Sequence, residues 1–561
     1  MSETVYNYQM FGKRKQLYIW LFVIILSLIC ITINSELSFL YAFHEVEDVQ
    51  CFITVARCML RGDVLYKDIY EHKGPMHFFL YYLGLKSSGG STIGVYVIEI
   101  LLFALFLLMV YKSVHIFCRY DLLNYILTAA IGVWASCRRA FCAGGECEEL
   151  TLPFVTIALY LVLKENAGEL QDHKTEDAEK KSCKCTEIWC NAAIIGLCFS
   201  IVFWSKYTVT GVFVGYVFAV IIIGITLKSM KYVLERAGGF IIGALSGSIP
   251  VILYFTKHRA FNDLWEVYFY NLIFKYSQNG YGETSFWHNT KSMMHFWIIV
   301  ATFGIIIAPY KVIKKEGKIY TLLMILLLIL GLATSKVWSY VYEALVPIGI
   351  VCIIGFIGVI GKIYSIEKAR VLIQRIWSKT KLRLSNEIQT MPRLKRYINT
   401  IFVEKKVVAS VVFLAAILFY SGYFAINVNP HADSIGAHPE DYEMVRISKL
   451  VREIKADNPV IISFTSLDTG IYYLTDTYPP DKYFCQYNLF SLYDLEYYEK
   501  YIESRKADFV ISHEQVDNMI EYGYDLCYKN ESAKSVNKGF GMTIMNYYLY
   551  ARKELCESGG E

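Results

Sequence analysis

The side chains best suited to chemistry lie between Glu47 and Pro75, in the stretch EDVQCFITVARCMLRGDVLYKDIYEHKGP. Asp48 precedes an amphipathic segment, 49–61, and eighteen residues on comes Tyr66, followed directly by Lys67-Asp68-Ile69-Tyr70-Glu71-His72-Lys73-Gly74-Pro75. A partly desolvated carboxylate at a membrane surface suits proton abstraction from an attacking hydroxyl, because burial raises its pKa toward that task. The same Asp also suits the N-cap of 49–61. Lys73 offers a fixed cation for the negative charge that develops on a leaving phosphate. Its alternative is to snorkel among lipid headgroups. His72 reads as a neighbouring hydrogen-bond donor or as a ligand for a divalent cation. Gly74-Pro75 forces a turn before the apolar run 76–83.

Stepping outward, the elements that position this stretch are membrane spans. The chain has 561 residues, 55% hydrophobic and 16% aromatic, and carries repeated apolar runs of membrane-spanning length. Eleven spans are expected, at 17–34, 92–111, 122–137, 150–164, 188–204, 207–227, 238–256, 293–310, 320–334, 341–361 and 407–426. The first follows Lys13-Arg14-Lys15 and has no small-residue cleavage site after it, so it reads as a retained span. Lys and Arg concentrate at 13–15, 180–184, 228–236, 311–318 and 362–406, which puts those segments and the N-terminus in the cytoplasm. The loop 35–91, the loop 138–149, the turn at Lys206, the loop 257–292, the turn 336–340 and the tail then share the outer face. The expected organisation is a mainly α, polytopic helix bundle over 1–427, with a small extracytoplasmic α/β domain over 428–561. In that tail, 459–464 and 508–513 read as strands and 492–506 as a polar, aromatic helix.

A net charge of +4 is small for this length and points away from nucleic acid. The fifteen cysteines show no paired framework. Several lie in apolar runs, where Cys acts as a small hydrophobe. Cys183-Lys184-Cys185 lacks the further ligands that a metal site needs. No Walker loop, dinucleotide fingerprint or zinc-protease motif is present, which fits a donor that is a lipid-linked sugar and not a nucleotide sugar.

Further polar clusters fall on the expected outer face. Arg138-Arg139 leads into Gly144-Gly145-Glu146-Cys147-Glu148-Glu149. Glu148 and Glu149 suit either ligand contact or the positive end of the helix that follows. Lys206 sits between two apolar runs, where a cation is costly without an anionic partner. Asp48, Tyr66, Asp68 and Lys73 in this register resemble the first external loop of the GT-C glycosyltransferases, the mannosyl- and aminoarabinosyl-transferase-like group that uses a polyprenyl-phosphate sugar. The Gly-Gly-Glu-Cys-Glu-Glu loop is similar to that family's Gly-Gly-x-x-x-Glu loop, and Tyr478-Pro479-Pro480-Asp481-Lys482-Tyr483-Phe484 to its Pro-x-x-Tyr-Phe segment.

The resemblance implies transfer of a monosaccharide from a polyprenyl-phosphate carrier to an extracytoplasmic glycan, lipid or protein acceptor, in the bilayer of a bacterial cell. Asp48 would be the base. Lys73, His72, Lys206, Arg138 and Arg139 would hold the lipid phosphate, and Glu148, Glu149, Tyr66, Asp68 and Tyr342 the sugar or acceptor. Where relatives carry His-Tyr leading to Pro, this chain has Tyr340-Val341-Tyr342-Glu343, so a His-dependent metal or phosphate contact there is in doubt. Two other classes fit the same residues: a transporter or flippase of lipid-linked glycans, and a silent relative that only binds them. Transporters place charge near the midplane, whereas these residues gather on one face.

Overall fold

The computed structural model describes residues 3–117, 121–137, 141, 143–167, 178–275, 313–333, 434–465, 467–485, 501–534 and 544–558, with short pieces between 302 and 354. Among the described residues before 260, nine α-helices form: α1 (Glu3–Asn34), α2 (Glu47–Arg61), α3 (Pro75–Ser87), α4 (Ile93–Phe117), α5 (Asp121–Ser136), α6 (Cys147–Glu165), α7 (Ala178–Phe203), α8 (Gly211–Thr226) and α9 (Met230–His258). A tenth long helix is Lys315–Ala333.

Six helices among the described residues are long and apolar enough to cross a membrane: Lys15–Asn34, Ile93–Phe117, Thr186–Phe203, Tyr207–Thr226, Met230–His258 and Lys315–Ala333. Each matches an expected span. Two others differ in kind. The 16 residues of α5 fall short of a typical crossing length, and α6 carries Glu148, Glu149, Lys164 and Glu165 within its bounds. The expected spans 407–426, most of 341–361 and most of 293–310 lie outside the described residues.

The membrane helices turn leucine and isoleucine outward. Ile25 on α1, Ile225 on α8, and Leu245 and Leu253 on α9 are all exposed, as lipid-facing side chains are. Inward, α9 meets α7 through Gly239, Gly243 and Gly247, one helical turn apart, where a Cβ would strike Trp189, Ala193, Leu197 or Ser200. Small residues at that spacing let two helix backbones approach closely.

The bundle gathers its loops at one end. The Glu36 N–H donates to the Ala143 carbonyl at 2.8 Å, Gly74 N–H to Ser205 at 3.0 Å, and Met76 N–H to Trp204 at 2.9 Å. The C-terminal region lies at the same end. It holds a four-stranded mixed sheet in the order β1-β2-β4-β3, with β1 (Ile461–Phe464) parallel to β2 (Phe509–Ser512), and β4 (Ile544–Arg552) antiparallel to both β2 and β3 (Tyr524–Lys534). The two expected strands are β1 and β2. The hairpin β3–β4 escaped the sequence reading, because polar and aromatic residues interrupt its alternation.

Candidate active site

The loop between α1 and α4 folds into two short helices, α2 and α3, joined by a buried turn. Asp48 is the second residue of α2 and lies in its first turn. The N-cap is Val46, so Asp48 does not cap the helix. Its carboxylate faces Lys73 across the loop, with Oδ1 3.5 Å from Nζ. Lys73 is 6% exposed and its ammonium also lies 5.3 Å from the centre of the Phe52 ring. Burial alone would lower the Lys73 pKa, but the carboxylates of Asp48, Glu71 and Glu146 outweigh it and hold the group well above its ordinary range. These carboxylates favour its charged form.

The turn that delivers Lys73 is built from its neighbours. Tyr66 is fully buried in the left-handed region, at φ +68°, a conformation rare for a bulky residue. Its hydroxyl donates to the Lys73 carbonyl and its ring stacks on Phe255 at 5.6 Å. The Glu71 carboxylate accepts from the Lys73 N–H at 2.6 Å and lies 3.1 Å from His72 Nδ1. Burial would raise Glu71, yet His72 and Lys73 hold it down at about 2. A carboxyl depressed from 4.5 contributes stability that is fully present above about pH 4.5 and is lost as pH falls toward 2, about 3 kcal/mol in all. Thermal unfolding followed between pH 7 and pH 3 should show this loss, and Glu71→Gln should flatten it.

Gly74 docks the turn onto the link between α7 and α8. A Cβ at Gly74 would run into the Trp204 and Ser205 carbonyls, which are the acceptors of the Met76 and Gly74 N–H groups. Gly74→Ala must push the two segments apart, so a loss of roughly 1–3 kcal/mol is expected. The position of Lys206, carried by the same link, should shift with it. A Gly74→Ala protein of unchanged melting temperature would refute the docking role.

The second charged pair sits on that link. The Lys206 ammonium donates to Glu148 Oε1, with Glu148 fully buried and Lys206 16% exposed. Glu148 Oε2 has no hydrogen-bond partner among the described residues. Glu149 turns the other way, and its Oε2 accepts from Gly145 N–H at 2.7 Å. That bond requires the sharp loop formed by Gly144 and Gly145, at φ +86° and +79°, which glycine adopts without strain.

Glu146 joins the two pairs. It is buried at the N-cap of α6, where Asp48, Lys73, Glu148 and Lys206 all act on it. Burial, with Asp48 and Glu148 repelling it, pushes its pKa well above the carboxylate range against the pull of the two lysines. His77, at the start of α3, feels both Lys73 and Lys206. It is fully buried 4.4 Å from the Phe52 ring, and neither ring nitrogen has a hydrogen-bond partner among the described residues. Burial, reinforced by Lys73, lowers it to about 3, so the imidazole is neutral.

The structure thus brings Asp48, Lys73, His72, Lys206 and Glu148 into one charged cluster, with Tyr66 and Glu149 as scaffolding around it. Asp68 stands apart. It is exposed, and its carboxylate accepts from the Val64 N–H at 2.8 Å, closing the turn that begins at Val64. Arg138, Arg139 and Tyr342 lie outside the described residues. Glu71, Glu146 and His77 were missed. Glu146 shares a motif with Glu148, so only its burial was hidden, whereas His77 sits in an apolar run that reads as packing. Among the described residues, no three His, Cys, Asp or Glu side chains gather to hold a metal ion.

The C-terminal region packs against α2 and the turn at Tyr70, beside this cluster. The Tyr70 N–H donates to the Lys482 carbonyl at 2.9 Å, Thr54 donates to Asp468 at 2.6 Å, and the Arg57 guanidinium donates to the carbonyls of Tyr472 and Thr477 at 2.7 and 3.1 Å. His513, just after β2, lies 3.4 Å from Glu47, the residue before Asp48.

Compared with solved structures, the chain aligns over 99% of its length with 99% of ArnT from Cupriavidus metallidurans in the apo state, with a TM-score of 0.50 and 10% sequence identity. The fold is GT-C-like. At that identity the likeness concerns the fold. ArnT from the same organism bound to undecaprenyl phosphate also matches, with a TM-score of 0.44 and 11% identity over 95% of this chain and 98% of ArnT. So does the archaeal oligosaccharyltransferase AglB from Archaeoglobus fulgidus, in complex with an inhibitory peptide and a dolichol-phosphate, with a TM-score of 0.48 and 12% identity over 90% of this chain and 70% of AglB. No protein-family model matches the chain, and neither does any curated protein sequence.

Proposed function

We propose that the protein is a membrane glycosyltransferase that moves a monosaccharide from a polyprenyl-phosphate carrier to an acceptor hydroxyl on the outer face. The observation that carries this reading is the pairing of a proton acceptor with a buried cation, Asp48 and Lys73 at 3.5 Å. The second ion pair, Lys206–Glu148, lies beside it at the same end of a GT-C-like bundle. The donor's phosphate takes Asp48's place on Lys73 and draws Lys206 toward it. Asp48 is then released to accept the proton of the acceptor hydroxyl as that oxygen bonds to the anomeric carbon. The bond from that carbon to the phosphate oxygen breaks, and its electron pair ends on the phosphate between the two ammonium groups. Fixed cations in a desolvated site stabilise such charge strongly.

Purified protein in detergent, given a polyprenyl-phosphate sugar and candidate glycan, lipid or protein acceptors, should transfer the sugar without any gradient or sidedness. Failure across donors and acceptors, together with carrier movement in sealed vesicles, would overturn this reading in favour of a flippase.

A further inference from the structure

We propose that Cys51 and Cys485 are joined in the mature protein by a disulfide that fastens the C-terminal region to the helix carrying Asp48. The two sulfur atoms lie 2.9 Å apart, inside the ordinary contact distance of two sulfurs, and the residues are 434 positions apart in the chain. Both side chains are buried, at 0% and 1% exposure. Cys51 stands one turn after Asp48 on α2, and Cys485 follows the segment whose Lys482 carbonyl accepts from Tyr70. A second pair, Cys527 on β3 and Cys556 in the last helix, meets at 3.0 Å. The three cysteines of 428–561 are therefore all in sulfur–sulfur contact, two with each other and one with the first loop. Such complete pairing in a region on the outer face is what an oxidising compartment produces.

Cysteines kept as thiols need no partner sulfur and pack singly as small hydrophobes. Here burial pushes the Cys51 thiol well above its ordinary range and Cys485 up to about 11, so as thiols both would be unreactive once the region has docked. The bond therefore forms as the tail closes. Each thiol gives up its proton, the pair gives up two electrons, and an exported thiol–disulfide oxidoreductase accepts them by exchange, leaving as a dithiol. A link across 434 residues removes a large share of the freedom of the unfolded chain.

The inference rests on the outward orientation proposed above and not on the transfer reaction. Membranes from cells grown in air are denatured in SDS with N-ethylmaleimide and no reductant, then digested and analysed by mass spectrometry. The expected result is a peptide pair linking Cys51 to Cys485, lost on prior reduction, with Cys58 alkylated as the internal control. Alkylated Cys51 and Cys485, or Cys485 linked to a different cysteine, would overturn the inference. Labelling of Lys67→Cys, an exposed position on the same loop, by an impermeant maleimide reports the orientation separately. Labelling from outside with Cys51 alkylated removes the disulfide alone, and labelling from inside with Cys51 alkylated removes the disulfide and the orientation together.

Discussion

Asp48→Asn should lower sugar transfer by about 10²–10⁴-fold, the usual cost of losing a general base, while leaving the protein folded. Folding should survive because Lys73 keeps the Glu71 carboxylate beside it when Asp48 is neutralised. Glu146 compensates further. Asp48 repels it, so losing that charge lets Glu146 ionise more easily and restore the balance around the ammonium. Glu47→Gln is the matched control, since the Glu47 side chain is turned toward His513. It should retain most of the transfer rate. Turnover near normal in Asp48→Asn, with Glu47→Gln inactive, would assign the base to the wrong carboxylate.

Lys73→Ala should be more damaging, because it strikes both chemistry and folding. The ammonium is the cation that Asp48, Glu71 and Glu146 share. Removing one partner of a buried pair typically costs about 3–5 kcal/mol, since the remaining charge stays buried without compensation. A lowered melting temperature and loss of transfer are both expected. Lys73→Arg keeps the charge but puts a planar fork where the site holds a compact ammonium, so rescue should be partial. The double variant Lys73→Ala/Asp48→Asn separates the two effects. Its melting temperature should recover relative to Lys73→Ala, because neighbours in one network are not additive, while transfer stays absent. Wild-type stability and transfer in Lys73→Ala would remove Lys73 from the site.

What could be read from the chain follows from how local each signal is. The membrane helices are legible because twenty apolar residues carry their own meaning, and Asp48 and Lys73 because a charge-dense loop in an apolar protein is conspicuous. Asp68 is conspicuous for the same reason. Its carboxylate closes a turn four residues away, and nothing in its spacing distinguishes that task from ligand contact. His77 and Glu71 were hidden by the opposite fault. His77 is buried beside Lys206, which the α7–α8 link brings in and no spacing within the loop records, whereas Glu71 is held by its own neighbours His72 and Lys73 and only its burial was hidden. The pairing of Gly74 with Trp204 and Ser205 is likewise invisible until two distant turns are seen to exchange hydrogen bonds. Cysteine pairing fails the same way, because Cys51 and Cys485 lie almost at opposite ends of the sequence.

The grip of the tail on α2 also sets the order of assembly during synthesis. Arg57 leaves the ribosome early, yet the carbonyls that receive its guanidinium belong to Tyr472 and Thr477, 415 and 420 residues later. Thr54 waits as long for Asp468. Contacts of such separation form late, after the ends of a very long segment have been brought together. The helix bearing Asp48 therefore stays unfinished while the remaining membrane helices insert. A nascent chain carries every residue of the charged cluster, from Asp48 to Lys206, long before the partners of Thr54 and Arg57 between Asp468 and Thr477 have been made and can fold back onto α2.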